Sequence, residues 1–296
     1  MKNLVMGFAT NQSAQDLKIF ITSLRRVYSP DQCDVVLLVD RAPEGVDTSG
    51  PLAINLVTTT NVYPIRNKIE RRAKSLLIRL ASAASQATAS AIAGPAKAAL
   101  RPAMERWHHP CFARWLAYRR FLLAHPEYDN VLLTDVRDVL FQRPFFEERT
   151  QGVQFFEQDA VYGVDRCDTD WYREAFGEEG LARVVGRPAL CAGTVMGSRD
   201  DLVTFIDEFV DWFSVAPFDG VDQAKLNGLL LQGQPRFAYQ VNSNGKGPIS
   251  TLGNQKAAAA IKVVDGQIVN ARGAVAPIVH MYDRFAHTMA VGQAFC

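Results

Sequence analysis

The sequence predicts an α/β fold with a mostly parallel central sheet, helices on both faces and a helical, basic insertion. Three observations lead there. Apolar runs alternate with helix-spaced segments from the first residues onward, as in βαβ units. The apolar run Val131-Leu-Leu-Thr134 ends in two carboxylates, Asp135 and Asp138, where a buried strand would open into a crevice. At 296 residues, with 48% hydrophobic and 21% charged, the chain is long enough for one large domain or two small ones. A single domain is expected over 1–296, with 61–106 inserted within it.

The first strand is expected over 3–9, followed by the polar loop Thr10-Asn11-Gln12-Ser13 and a helix with apolar spacing at Leu17, Phe20, Ile21 and Leu24. Strands over 34–40 and 54–57 complete the opening βαβ pattern and place the Thr10-Asn11 loop in the crevice of the sheet. Residues 75–103 read as two helices around a Gly94-Pro95 break. An amphipathic helix over 110–125 then carries Phe112, Trp115, Leu116, Phe121 and Leu122 among Arg114, Arg119 and Arg120. Arg114 is a candidate to reach ligand phosphates from that helix; a solvated or salt-bridged arginine is the plain alternative.

Between the acidic motif and the C-terminus, an acidic, aromatic stretch over 165–180 precedes Cys191-Ala192-Gly193-Thr194, a small-residue turn that lets a ligand approach the backbone. Residues 202–213 form a strongly amphipathic helix, and another begins with Asp222 and Gln223 in its first turn. At Asp135 and Asp138, two readings stand. Ionised acids at a strand end need a cation, a base or a metal, or they cap the turn and pair with Arg137 and Arg143.

The net charge of +1 conceals an asymmetry. Residues 61–106 hold nine Lys and Arg against Glu70 and Glu105, a local +7 that leaves −6 for the rest. Such a block suits an anionic partner, either an anionic membrane surface or ligand phosphates under a segment folded over the site. No run of 18 apolar residues and no signal peptide is seen, so a cytoplasmic protein, free or peripheral on the inner membrane face, is expected. The five cysteines are odd in number and lack a C-x-x-C spacing, and they read as reduced thiols.

Taken together, the acidic strand end, the Cys191-Ala192-Gly193-Thr-Val-Met-Gly197 strand, the Val221-Asp222-Gln223-Ala-Lys-Leu-Asn227 helix and the late Ile278-Val279-His280 follow one order. That order resembles GT-A-fold glycosyltransferases, nearest the glycogenin and lipopolysaccharide galactosyltransferase group. The resemblance implies a hexosyltransferase that moves a sugar from a nucleotide-sugar donor to a glycan, polysaccharide or lipid-linked acceptor. It implies that Asp135, Asp138 and His280 hold a metal on the donor diphosphate, and that Thr10 and Asn11 hold the nucleoside. It further implies that Cys191, Ala192 and Gly193 line the sugar pocket, while Asp222 and Gln223 border the reacting carbon.

Asp-Val-Arg-Asp is one residue longer than the family's Asp-x-Asp, and Cys191 stands in its asparagine-containing turn. Hence either both acids coordinate, or one binds metal while the other holds Arg137 or the ribose. Oxygen ligands suit Mg²⁺ or Mn²⁺, and an added imidazole favours Mn²⁺. Asp222 is the remaining acid for the acceptor side, or else a helix N-cap. No nucleic-acid partner is expected. Two other classes remain open: a nucleotidyltransferase, for which the Gly-rich phosphate loop is missing after the first strand, and a catalytically silent membrane-surface binding protein.

Overall fold

The computed structural model describes residues 1–63, 69, 93–146, 150–213, 222–253, 261–270 and 272–295. The strands are β1 (Asn3–Phe8), β2 (Cys33–Val39), β3 (Asn55–Thr58), β4 (Asn130–Thr134), β5 (Val139–Phe141), β6 (Val153–Val161), β7 (Pro188–Leu190), β8 (Thr194–Ser198), β9 (Tyr239–Asn242), β10 (Ile249–Thr251), β11 (Lys262–Val264), β12 (Gln267–Val269) and β13 (Ile278–His280). The helices are α1 (Ala14–Val27), α2 (Ala93–Trp107), α3 (Pro110–Ala124), α4 (Arg166–Ala182), α5 (Arg199–Phe213), α6 (Asp222–Leu231) and α7 (Ala286–Gln293). The protein is α/β with a mixed, largely parallel central sheet in the order β3-β2-β1-β4-β8-β6-β7, with β9 beside β6.

Strands β3, β2, β1 and β4 are parallel, and β8 enters antiparallel between β4 and β6. The reversal joins two strand ends. Because β8 starts at the edge where β4 ends, with Thr194 opposite Thr134, the turn 191–193 lies beside Asp135. A second, three-stranded sheet runs β10-β13-β5, and β11 and β12 form a separate hairpin.

The alternation of side chains explains the layers. Leu4, Met6, Val36, Leu38, Val131 and Leu133 face α3, α5 and α6 through Trp115, Phe205, Phe209 and Leu226. Val5, Val35, Leu37 and Leu132, on the other face, pack with Phe20 and Leu24 of α1 and with Phe141. Helices thus cover both faces, and strands buried on both sides read as continuous apolar runs. A capping box of Ser13 and Asp16 starts α1 three residues before the apolar spacing does.

One expectation changes. Helix α3 is not amphipathic: Phe112 through Tyr118 are all buried, Arg114 included, because α3 is sandwiched between the sheet and α5, where Trp115 meets Phe205 and Phe209 edge-on at 5.5 and 5.2 Å. Gly94-Pro95 lies within the described helix α2, and the expected helix ahead of it, over 75–92, lies outside the described residues. Most of the basic stretch, including Arg66, Lys68, Arg71, Arg72, Lys74 and Arg79, lies outside the described residues. At its end, Arg101 turns back to Asp207 of α5 at 2.8 Å, and Glu105 is held by Arg120 at 2.8 Å. No helix among the described residues is long and apolar enough to cross a membrane.

Candidate metal and ligand crevice

Asp135 follows the last residue of β4, and its backbone N–H donates to Gly193 O at 2.8 Å. The chain then turns through buried Val136 and exposed Arg137 to Asp138, which precedes β5. Strand β5 pairs antiparallel with β13, His280 opposite Val139, and Met281 N–H donates to Asp138 O at 2.7 Å. The two acids therefore stand at a junction between two sheets, which is why they need three residues of separation to face one another. Gly7 makes the turn possible, since a Cβ there would lie 2.1 Å from Val136 Cγ1.

One ligand atom each from Asp135, Asp138 and His280 lies within 4.8 Å of the others. His280 Nε2 is 3.4 Å from Asp135 Oδ2 and 3.7 Å from Asp138 Oδ1. It is buried and has no hydrogen-bond partner among the described residues. Gly193 keeps the space open, because a Cβ there would lie 2.5 Å from Asp135 Oδ2 and 2.9 Å from His280 Nε2. Two carboxylate oxygens and one imidazole nitrogen, with an unpartnered buried ring nitrogen beside a glycine, form a group that could hold a metal ion.

The cations beside these acids are not the neighbouring ones in sequence. Arg137 approaches Asp283 at 3.9 Å and Arg143 donates to Gln267 at 3.0 Å. Asp135 is instead bound by Arg114 at 2.6 Å, and Asp138 by Arg284 at 3.1 Å. Desolvation in the crevice pushes the Asp135 carboxyl up, but Arg114 and His280 outweigh it and hold it down at about 2. Asp138 is pushed up by its burial, against the pull of His280. Burial alone would push the His280 ring down, yet Cys191 and the carboxylates raise it well above its usual range.

Arg114 is a strut more than a free ligand-binding cation. It donates to Asp222 Oδ2 from Nε and Nη2 at 3.0 and 2.7 Å, to Asp135 from Nη1 and to Ala192 O at 2.9 Å, leaving at most one N–H for a ligand. Trp115 Nε1 adds a third hydrogen bond to Asp222 Oδ2 at 2.7 Å. Burial pushes the Asp222 carboxyl up, and Arg114 and Trp115 oppose it; three N–H donors on one oxygen favour the ionised form.

Helix α6 also fixes the small-residue turn. Asn227 exchanges two hydrogen bonds with the Leu190 backbone, both at 2.8 Å, and Gln223 Oε1 accepts from Ala192 N–H at 3.2 Å. The Gln223 amide donates to Asp168 Oδ1 at 2.5 Å, beside a second donor, Gln158 Nε2, at 2.9 Å.

Arg114, Asp135, Cys191, Ala192, Gly193, Asp222, Gln223 and His280 line one crevice of about 310 Å³, with Asp138 buried against His280. Thr10 and Asn11 are not among its lining residues. Asn11, in a left-handed conformation at φ 58°, donates to Asp40 Oδ1 at 2.9 Å and lines a neighbouring crevice with Arg41 and Glu44. Both crevices open on the same sheet edge, since Gly7 of β1 pairs with Thr134 of β4.

Sequence reading missed Asp168, Trp171, Cys111, Cys167 and Arg284, all on the crevice wall. Arg284 lies four residues after His280, past the end of β13. Compared with known proteins, the chain matches no protein-family model and no curated protein.

Proposed function

We propose that this protein transfers a sugar from a nucleotide-diphosphate sugar to a glycan, polysaccharide or lipid-linked acceptor, using a divalent metal ion in a GT-A-like fold. The observation that carries the reading is the convergence of Asp135, Asp138 and the orphaned His280 Nε2 within 4.8 Å, beside a glycine whose side chain would fill the space. Asp135, Asp138 and His280 would hold the ion, with Mn²⁺ favoured. Bound there, it would neutralise charge that builds on a departing diphosphate.

The remaining work falls to this chain's own side chains. Arg284 reaches the crevice partly exposed, shared between Asp138 and Asp283, and would be the cation to meet diphosphate oxygens. Arg114 orients Asp135 so that Oδ2 faces His280 while Oδ1 takes its own hydrogen bond. Gln223, clamped between Asp168 and the Ala192 N–H, presents a fixed amide at the border of the crevice. The hydrogen bonds that Asp222 accepts among the described residues all fall on Oδ2, so Oδ1 is the atom that would take a sugar hydroxyl or an acceptor proton.

A thermal-shift screen of UDP-, GDP-, CMP- and dTDP-sugars with and without Mn²⁺ tests the reading. One nucleotide class should raise the melting temperature only when Mn²⁺ is present, by the equivalent of about 2.7 kcal/mol at a hundredfold excess over Kd. Flat melting curves across all donors in Mn²⁺ would sink it.

A further inference from the structure

Cys191 is buried on the turn that leads into β8, and its sulfur lies 3.4 Å from His280 Nδ1. The opposite ring nitrogen faces the two carboxylates. A neutral imidazole carries one proton, and Nε2 offers a lone pair to a cation only when that proton sits on Nδ1. A buried Nδ1–H in turn needs an acceptor. The sulfur is placed as one: the Gly193 backbone N–H already donates to it at 3.4 Å, and the Cys191 N–H is anchored on Phe156 O at 2.9 Å.

We propose that Cys191 is a positioning residue, whose sulfur accepts the Nδ1–H of His280 and so aims the Nε2 lone pair at Asp135 and Asp138; this rests on the metal site proposed for those three residues. The reverse arrangement, a thiol S–H donating to Nδ1, puts the proton on Nε2 between two carboxylates and closes the site to a cation. Partners of this kind, one bond removed from the metal, fix ring orientation and tautomer, and their loss costs about 10–100-fold in metal affinity. A sulfur in this place also distinguishes the chain from a site in which an amide holds the turn.

The test uses the full chain labelled with ¹⁵N-histidine, in the parent and in Cys191→Ala and Cys191→Ser. Mn²⁺ alone is titrated by electron paramagnetic resonance, and imidazole ¹⁵N shifts are recorded with diamagnetic Mg²⁺ and, metal-free, at a pH where the ring is neutral. The expected result is an Nδ1-protonated His280 in the parent, Mn²⁺ affinity about 10–100-fold lower in Cys191→Ala at a similar melting temperature, and substantial recovery in Cys191→Ser, whose hydroxyl also accepts. An Nε2-protonated ring in the parent, or parental Mn²⁺ affinity in Cys191→Ala, overturns the proposal. If the parent binds no Mn²⁺, the metal reading fails by itself, and the metal-free ¹⁵N shifts still decide the Cys191 contact. Should Cys191→Ala not fold, the parent spectrum and Cys191→Ser carry the decision.

Discussion

Arg114 and Asp135 lie 21 residues apart in the chain and meet at 2.6 Å beyond the end of β4, while the same guanidinium holds Asp222 on α6. Removing it takes the paired cation from two carboxylates, leaves Asp222 with only the Trp115 Nε1 donor among the described residues, and strips Arg114 from the Ala192 carbonyl. Arg114→Ala is expected to destabilise the fold by about 3–5 kcal/mol in urea denaturation, the cost of leaving a buried partner charge uncompensated. Arg114→Lys should recover only part of this, because one ammonium cannot reach all three acceptors at once. A melt of Arg114→Ala that superimposes on the parent would remove Arg114 from its structural role.

Asp138→Asn keeps a side-chain oxygen for Arg284 and removes one of the two acids facing His280. Folding should be nearly unchanged, since a buried carboxyl pushed up by its surroundings is relieved. Mn²⁺ affinity should fall by at least the ~10–100-fold that a change behind a ligand causes. Isothermal titration calorimetry with Mn²⁺, then with donor in its presence, separates the two effects.

Gly193→Ala adds one methyl group where the distances to Asp135 Oδ2 and His280 Cε1 would be 2.5 and 2.6 Å. Either His280 or Asp135 must move, so metal binding should be lost while circular dichroism and the bulk of stability persist. Parental Mn²⁺ affinity in this variant would show that the ion does not use the gap.

Two pH effects have opposite origins. The Asp135 carboxyl, held at about 2 against 3.8, contributes stability that is complete above pH 3.8 and is lost as pH falls through its folded value. The His280 ring is held above its usual range by Cys191 and the carboxylates, so it keeps its second proton to higher pH than a free imidazole, and a metal must compete with that proton. Mn²⁺ affinity should therefore rise with pH, by about tenfold per unit while one proton is released. Proton release measured in two calorimetric buffers checks this, and a pH-independent affinity would contradict it.

The parallel strands of the central sheet were legible because their physical requirement is local. A strand covered on both faces must be apolar along its length, and β1, β2 and β4 were located to within a residue or two on that ground. The acids after β4 stood out for the same reason, as charges where burial should continue. Helix α3 was misread as amphipathic because arginines count as polar in any periodicity, whereas Arg114 is buried against acids from two other elements.

By itself, then, the sequence determined the strand-and-helix alternation, the position of Asp135 and Asp138 at a strand end, and Asp222, Gln223 and His280 as residues of interest. Only the tertiary structure decided which polar groups meet: Arg114 with Asp222 across 108 residues, Cys191 with His280 across 89, and Arg284 with Asp138 across 146. It also decided that Asn11 lines a neighbouring crevice and that Asp168 braces Gln223. The reason is one of range. Burial and periodicity act over a few residues and leave a mark in the chain, whereas the pairing of polar groups depends on how β8 reverses beside β4 and how β13 meets β5, and no local pattern encodes those crossings.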